Sequence, residues 1–158
     1  MPNIIMPSKE LQETAQGRVR MLLVVSRQST SDPLVFALVH TIPALLVLVH
    51  SSSEALEVTE AIKPDAFVLE SALEETSGVE LYDQLHTQPG FTRIPAILIG
   101  MLPPEQRHYI AKQKVVNLPY PIEPNDLQSA LGTLLNIPKA PVRSNTTAIT
   151  EYDSSSVA

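Results

Sequence analysis

The sequence contains no cysteine, few basic residues and no long apolar run, and each absence argues against a class of function. Without cysteine, the chain of 158 residues forms no disulfide, no thiolate metal site and no cysteine nucleophile. Only 11 residues are Lys or Arg against 17 Asp or Glu, which gives a net charge of −6. Because phosphate backbones bind to basic surfaces, we expect no nucleic acid partner.

The apolar segments are too short to cross a membrane. The longest are MLLVV and ALLVLV, whereas a membrane helix needs ~18 apolar residues or more. The first residues also lack the charged start and apolar stretch of a secretory signal. We therefore expect a cytoplasmic protein that makes no membrane contact. The chain is 44% hydrophobic, which is enough for the core of one domain.

Short apolar runs alternate with amphipathic segments through most of the chain. The runs are MLLVV (21–25), ALLVLV (44–49), AFVL (66–69), AILI (96–99) and VVNL (115–118). Continuous apolar runs of this length, with helical patterns between them, indicate parallel strands that are covered on both faces. The pattern predicts an α/β domain with a doubly wound sheet over residues 19–136.

The two ends of the chain differ in composition from this core. Residues 1–18 are polar and mixed, and the sequence predicts that they form a flexible N-terminal tail. Residues 137–158 contain two prolines and many Ser and Thr with few large apolar side chains. Because such a composition cannot support a packed core, we expect a disordered C-terminal tail.

The C-terminal ends of the strands are where a doubly wound sheet binds its ligands. The segment DAFVLESALEETSG places Glu70 at the end of the third apolar run and closes on Gly78. The segments KPDAFVLESALEETSGVELYDQL, IPAILIG and LPYPIEPNDLQSAL resemble the receiver domains of bacterial response regulators, over residues 19–136. The resemblance implies a flavodoxin-like sheet of five parallel strands in the order 2-1-3-4-5, and a role in two-component signalling.

The resemblance also implies a phosphorylation site, whose acidic positions are altered here. Receivers accept a phosphoryl group on an aspartate that ends strand 3, and they bind Mg²⁺ through it and an acidic pair after strand 1. The aspartate position falls on Glu70. The acidic pair falls on Val25 and Ser26, or on Ser26 and Arg27 if the register shifts by one residue. Neither register supplies a carboxylate.

The remaining receiver positions also lack the side chains that contact the phosphoryl group in the family. The Thr or Ser that contacts the phosphoryl group after strand 4 falls on Gly100, and the Lys after strand 5 falls on Tyr120. In the family the next residue, here Pro121, follows a cis peptide bond, and we expect the same. The aromatic switch position falls on Asn117. Since Mg²⁺ prefers carboxylate oxygens and phosphoryl transfer needs cationic neutralisation, we expect no metal, no cofactor and no enzymatic activity.

These substitutions suggest a pseudo-receiver, a non-catalytic module that binds a protein partner independently of phosphorylation. The resemblance points to the face of the last two helices and the fifth strand as the partner or dimer surface. The candidate contacts there are Asn117, Tyr109, Ile110, Tyr120 and Ile122. Glu70 itself either reaches solvent at the strand end or pairs with Arg27, which would imitate part of the charge balance of a phosphorylated site.

Two other functions stay open from the sequence. The chain could be a phosphoacceptor with unconventional chemistry at Glu70. It could also be a flavodoxin-type binder of a small molecule, in which the hydroxyls of SRQSTS (26–31) cradle a phosphate, although this segment lacks the glycine of tight phosphate loops. For the helix that follows, Asp32 and Pro33 predict the N-cap and the first helical position.

Overall fold

Six strands form one sheet in the computed structural model, which describes residues 3–7, 20–41, 43–110 and 115–135. The strands are β1 (Asn3–Ile5), β2 (Arg20–Val25), β3 (Ala44–Val49), β4 (Ala66–Glu70), β5 (Ala96–Ile99) and β6 (Val115–Leu118). Strands β2 to β6 are parallel and lie in the order β3-β2-β4-β5-β6. This confirms the flavodoxin-like order 2-1-3-4-5 that the sequence predicts.

The sixth strand, β1, was not expected. It pairs antiparallel with β3, with Ile4 opposite Val47, and it forms one edge of the sheet. The composition of residues 1–18 predicts a flexible tail, and for Asn3–Ile5 this prediction is wrong. The reason is that Ile5 packs against the core while the strand hydrogen-bonds to the edge of β3. The rest of the two predicted tails lies outside the described residues.

Five helices cover the two faces of the sheet in the described part of the chain. They are α1 (Ser31–Val39), α2 (Ser52–Val58), α3 (Gly78–His86), α4 (Pro104–Ile110) and α5 (Pro124–Leu135). One core cluster takes side chains from α2, α3 and α4, and the other takes them from α1 and α5. Successive residues of β4 alternate between the clusters, with Phe67 in the first and Val68 in the second. Burial on both faces explains why the strand sequences are continuously apolar.

The start of α3 lies against the end of β4, and a glycine permits this approach. A Cβ atom on Gly78 would lie 2.3 Å from the carbonyl oxygen of Glu70, far closer than van der Waals contact. The Gly78 amide donates a hydrogen bond to the carbonyl of Ser71 at 2.9 Å, and Ser77 caps the helix by accepting from the Glu80 amide at 3.1 Å. The loop between β4 and α3 is therefore tied closely to the strand end that carries Glu70.

No helix among the described residues has the length and apolar character to span a bilayer.

Candidate functional site

Glu70 is buried at the C-terminal edge of the sheet. It is the last residue of β4, pairs in register with Ile99 of β5, and is only 2% exposed. Of the two alternatives for Glu70, the one in which its carboxylate reaches solvent is therefore wrong. A buried carboxylate is costly unless it is hydrogen-bonded or neutralised, so the fold must supply partners for it.

Both oxygens of the Glu70 carboxylate accept hydrogen bonds from the chain. Oε1 accepts from the Ser26 hydroxyl at 2.9 Å and from the Arg27 backbone amide at 2.6 Å. Oε2 accepts from the Tyr120 hydroxyl at 2.6 Å. The Thr30 hydroxyl lies 2.8 Å from Oε1 and 2.7 Å from Oε2, so its single proton is shared between them. Donors from two loops, the one after β2 and the one after β6, thus enclose one carboxylate.

The Arg27 side chain also neutralises the Glu70 carboxylate, but it lies farther from the carboxylate than the hydrogen-bond donors do. Its Nε atom lies 3.9 Å from Glu70 Oε1, which is an ion pair but beyond hydrogen-bonding range. The predicted pairing of Arg27 with Glu70 is therefore present, although the backbone amide of Arg27 makes the closer contact. Among the described residues, Nε of Arg27 is a buried polar atom without a hydrogen-bond acceptor.

These contacts favour the ionised form of Glu70. Burial, the largest single influence, raises the pKa of the Glu70 carboxyl group. The accepted hydrogen bonds, led by the one from Tyr120, together outweigh burial and hold this pKa below its ordinary value. Burial and then the hydrogen bond to Glu70 raise the pKa of the Tyr120 phenol well above its ordinary value. Tyr120 therefore remains a proton donor to an ionised partner.

Residue 100 lies beside the Tyr120 ring and is a glycine, and a side chain here would clash with Ser71 rather than with the ring. A Cβ atom on Gly100 would lie 3.4 Å from the Tyr120 ring and 2.5 Å from Ser71 Oγ. Gly100 also has φ +114°, a backbone conformation that other residues rarely adopt. The Tyr120–Pro121 bond is cis, as the resemblance implies. Asn117 holds the neighbouring backbone, since its Nδ2 donates to the carbonyls of Leu98 and Gly100, each at 2.9 Å.

The structure also shows which residues after β2 face the site. Val25 pairs in register with Leu69 and is fully buried in the first core cluster. The next two residues, Ser26 and Arg27, donate to Glu70. Ser26 and Arg27, which form the second of the two pairs considered from the sequence, are therefore the residues that contact Glu70.

Comparisons with solved structures identify this arrangement of strands and helices. The receiver domain of a signal transduction histidine kinase from Syntrophus aciditrophicus has 23% identity and a TM-score of 0.64, over 83% of this chain and 100% of that chain. The receiver domain of an HD domain-containing protein from Pseudomonas fluorescens Pf-5 has 19% identity and a TM-score of 0.66, over 77% and 90%. The chain has the receiver fold.

A third similar structure carries a metal ion. It is the receiver domain of a sensor histidine kinase from Pseudomonas aeruginosa PAO1, with a magnesium ion coordinated in its active site cleft. Its sequence identity to this chain is 18% and the TM-score is 0.64, over 75% of this chain and 99% of that chain. No protein-family model matches the sequence, and no curated protein matches it. The three solved structures nevertheless confirm the resemblance seen in the sequence at the level of the receiver fold.

The residues at this end of the receiver fold do not fit a magnesium ion. A metal needs oxygen acceptors that converge on one point. Here the groups around Glu70 are an amide and three hydroxyls, and all of them direct hydrogen toward the carboxylate. The described residues contain no group of three His, Cys, Asp or Glu side chains that could hold a metal ion.

Thr30 belongs to the site, a role that the sequence does not predict. Thr30, rather than Asp32, stands at the N-cap of α1, so the predicted N-cap was wrong. The Thr30 side chain makes no capping hydrogen bond, because its hydroxyl is directed to Glu70 instead. The only signal in the sequence was the cluster of hydroxyls in SRQSTS. Ser26 and Thr30 turn inward to the carboxylate, which leaves them unavailable as a phosphate cradle of the flavodoxin type.

The predicted interaction face is only partly exposed. Ile110 is buried in the first core cluster and is therefore not a surface contact. Ile122 is half-buried and packs against the second cluster, and Asn117 is occupied with backbone carbonyls. Tyr109 is exposed, with its hydroxyl donating to Asp83 at 2.6 Å. Tyr109 and the outer part of the Tyr120 ring remain as candidate contacts on this face.

Proposed function

We propose that this chain is a pseudo-receiver, a module of receiver fold that takes up no phosphoryl group and acts in signal transduction by binding another protein. It is not an enzyme and uses no cofactor. The observation that carries the proposal is the enclosure of Glu70, both of whose carboxylate oxygens already accept hydrogen bonds from the chain.

The chemistry of phosphoryl transfer supports this proposal. A carboxylate that attacks a phosphoryl donor needs a free oxygen, together with a metal ion or cations that neutralise the charge on the transferring group. The Glu70 oxygens are directed at Ser26, Thr30 and Tyr120, and the side chain is 2% exposed. The Lys position holds a tyrosine whose hydroxyl is a donor to Glu70 and carries no positive charge.

The proposal is tested by treating the purified protein with Mg²⁺ and acetyl phosphate and measuring its intact mass. We expect no change in mass, while a receiver with an intact acidic site, treated in parallel, should gain a phosphoryl group. Phosphorylation mapped to Glu70 by peptide sequencing would establish the phosphoacceptor alternative instead.

The interaction itself is tested with matched variants on two surfaces. Tyr109 on α4 and Phe36 on α1 are both exposed aromatic residues. If the partner binds the α4 face, Tyr109→Ala should weaken its retention from a lysate of the native host, and Phe36→Ala should leave retention unchanged. Treatment with acetyl phosphate should not alter retention of the same partner. A partner that binds only after this treatment would contradict phosphorylation-independent signalling.

A further inference from the structure

A cleft of about 470 Å³ lies between the loop that follows β4 and the start of α4. One wall is the loop of residues 71–77, and the other consists of Met101, Pro103 and Gln106. Glu70 does not line the cleft, so this surface is separate from the enclosed carboxylate. The cleft opens at the C-terminal edge of the sheet, where doubly wound sheets bind their ligands.

The longer wall of the cleft is held in place by its own backbone. The Leu73 amide donates a hydrogen bond to the Thr76 carbonyl at 3.0 Å, and Ala72 forms an antiparallel bridge with Ser77. These contacts fold residues 72–77 into a small closed loop. Because the wall is already formed, a ligand binds here without the entropic cost of ordering a loop.

The charge of the cleft is negative. Glu74 and Glu75 are exposed on its wall, and neither carboxylate has a hydrogen-bond donor or a cation as partner among the described residues. The sequence contains no Lys or Arg in residues 64–92 and none in residues 101–106. Nothing on either wall therefore neutralises the two carboxylates, and the field in the cleft favours a cationic group.

An apolar contact stands at the rim of the cleft. Met101 is 88% exposed, more than any other large apolar side chain in the part of the chain that the structure describes. Pro103, on the same wall, is also exposed. The flexible thioether of methionine adapts to apolar surfaces of varied shape. The cleft thus combines an adaptable apolar contact with two carboxylates.

We propose that this cleft binds a basic segment of a partner protein, in which Lys or Arg side chains pair with Glu74 and Glu75 and an apolar neighbour packs on Met101. Lys and Arg fit such a surface because their aliphatic stems pack along apolar groups while their charged ends reach carboxylates. Nucleic acids, anionic lipids and a second copy of this chain, with its net charge of −6, are repelled here. The inference rests on the proposed function, since it names the chemistry of the partner that the pseudo-receiver binds.

The test lets the protein select its ligand from a phage library of short random peptides. We expect the selected peptides to be enriched in Lys or Arg next to an apolar residue. A synthetic peptide of the selected sequence, measured by fluorescence anisotropy, should bind Glu74→Gln/Glu75→Gln about fivefold more weakly than the unmodified protein. Met101→Ser should weaken binding as well. The matched control, Glu57→Gln/Glu60→Gln, removes two exposed carboxylates that do not line the cleft and should leave the affinity unchanged.

Four outcomes would overturn the proposal. They are the selection of peptides without basic residues, unchanged affinity in Glu74→Gln/Glu75→Gln, an equal loss in the control, and a loss only in Tyr109→Ala, which would place the peptide on the α4 face. Circular dichroism should show that each variant is folded. The intact-mass experiment with acetyl phosphate tests the proposed function separately. A protein that gains no phosphoryl group and selects no basic peptide would retain the proposed function and lose only this inference.

Discussion

Replacement of Tyr120 by phenylalanine tests whether the hydrogen bonds to Glu70 stabilise the fold. The change removes the hydroxyl that donates to Glu70 Oε2 at 2.6 Å and keeps the ring beside Gly100. A hydrogen bond to a charged group contributes ~1.5–3 kcal/mol to the free energy of unfolding. Because Tyr120 is 45% exposed, a water molecule can replace part of this contact. We therefore expect Tyr120→Phe to lower the free energy of unfolding by about 1–2 kcal/mol at neutral pH.

The stability that Tyr120→Phe loses should be greater at neutral pH than in acid. The pKa of Glu70 is lower in the folded protein than its ordinary value, so its ionised form stabilises the fold above the unfolded pKa of ~4.3. This contribution is lost as the pH falls through the lowered pKa of the folded state. Tyr120→Phe removes the hydrogen bond that lowers the pKa most. The difference between the two proteins should therefore be greatest near neutral pH and should shrink in acid.

Urea denaturation at neutral pH and at acid pH measures both effects, with Tyr109→Phe as the matched control. Tyr109 also donates to a carboxylate, that of Asp83, but this contact is exposed. Its loss should change the free energy of unfolding by less than about 0.5 kcal/mol. If Tyr120→Phe were as stable as the unmodified protein, or lost equal stability at both pH values, the hydrogen-bonded carboxylate would not be the stabilising element that we infer.

Three further predictions concern the same end of the sheet. Glu70→Asp alone should gain no mass with Mg²⁺ and acetyl phosphate, because no described residue beside it supplies a second carboxylate for a metal ion. Phosphorylation of this variant would refute that account. Gly100→Ala should lower the free energy of unfolding by ~1–3 kcal/mol, since φ at this position is +114° and the new Cβ would lie 2.5 Å from Ser71 Oγ. A variant with unchanged thermal stability would contradict this prediction. Gly78→Ala should lower thermal stability more than Gly100→Ala does, because its Cβ would lie 2.3 Å from the Glu70 backbone oxygen. The backbone cannot rotate away, whereas the Ser71 hydroxyl can. A greater loss of stability in Gly100→Ala would contradict this geometry.

The sequence predicts the parallel strands well because burial on both faces makes each of them continuously apolar. The run AFVL, for example, becomes β4 and supplies Phe67 to one core cluster and Val68 to the other. The same reasoning could not find β1. Three residues are too few to show a period, and β1 exists because β3 offers it an edge and the core accepts Ile5.

The sequence predicts the position of the candidate site, but not that Glu70 is buried and hydrogen-bonded there. The sequence places Glu70 at the end of a strand, and that placement is what the structure shows. Its burial depends on Thr30 and Tyr120, which lie 40 and 50 residues away along the chain and reach the carboxylate only after folding. A hydroxyl is also ambiguous in a sequence, because the same Thr30 could cap a helix, cradle a phosphate or donate to a carboxylate.

The residues around Glu70 depend on one another in their packing. Glu70 has one methylene more than aspartate and accepts a hydrogen bond from Tyr120, whose ring lies beside Gly100. A hydroxyl residue at position 100, as the receiver chemistry requires, would meet Ser71 Oγ and would adopt an unfavourable φ. A hydroxyl side chain at position 100 would therefore require a new backbone conformation there.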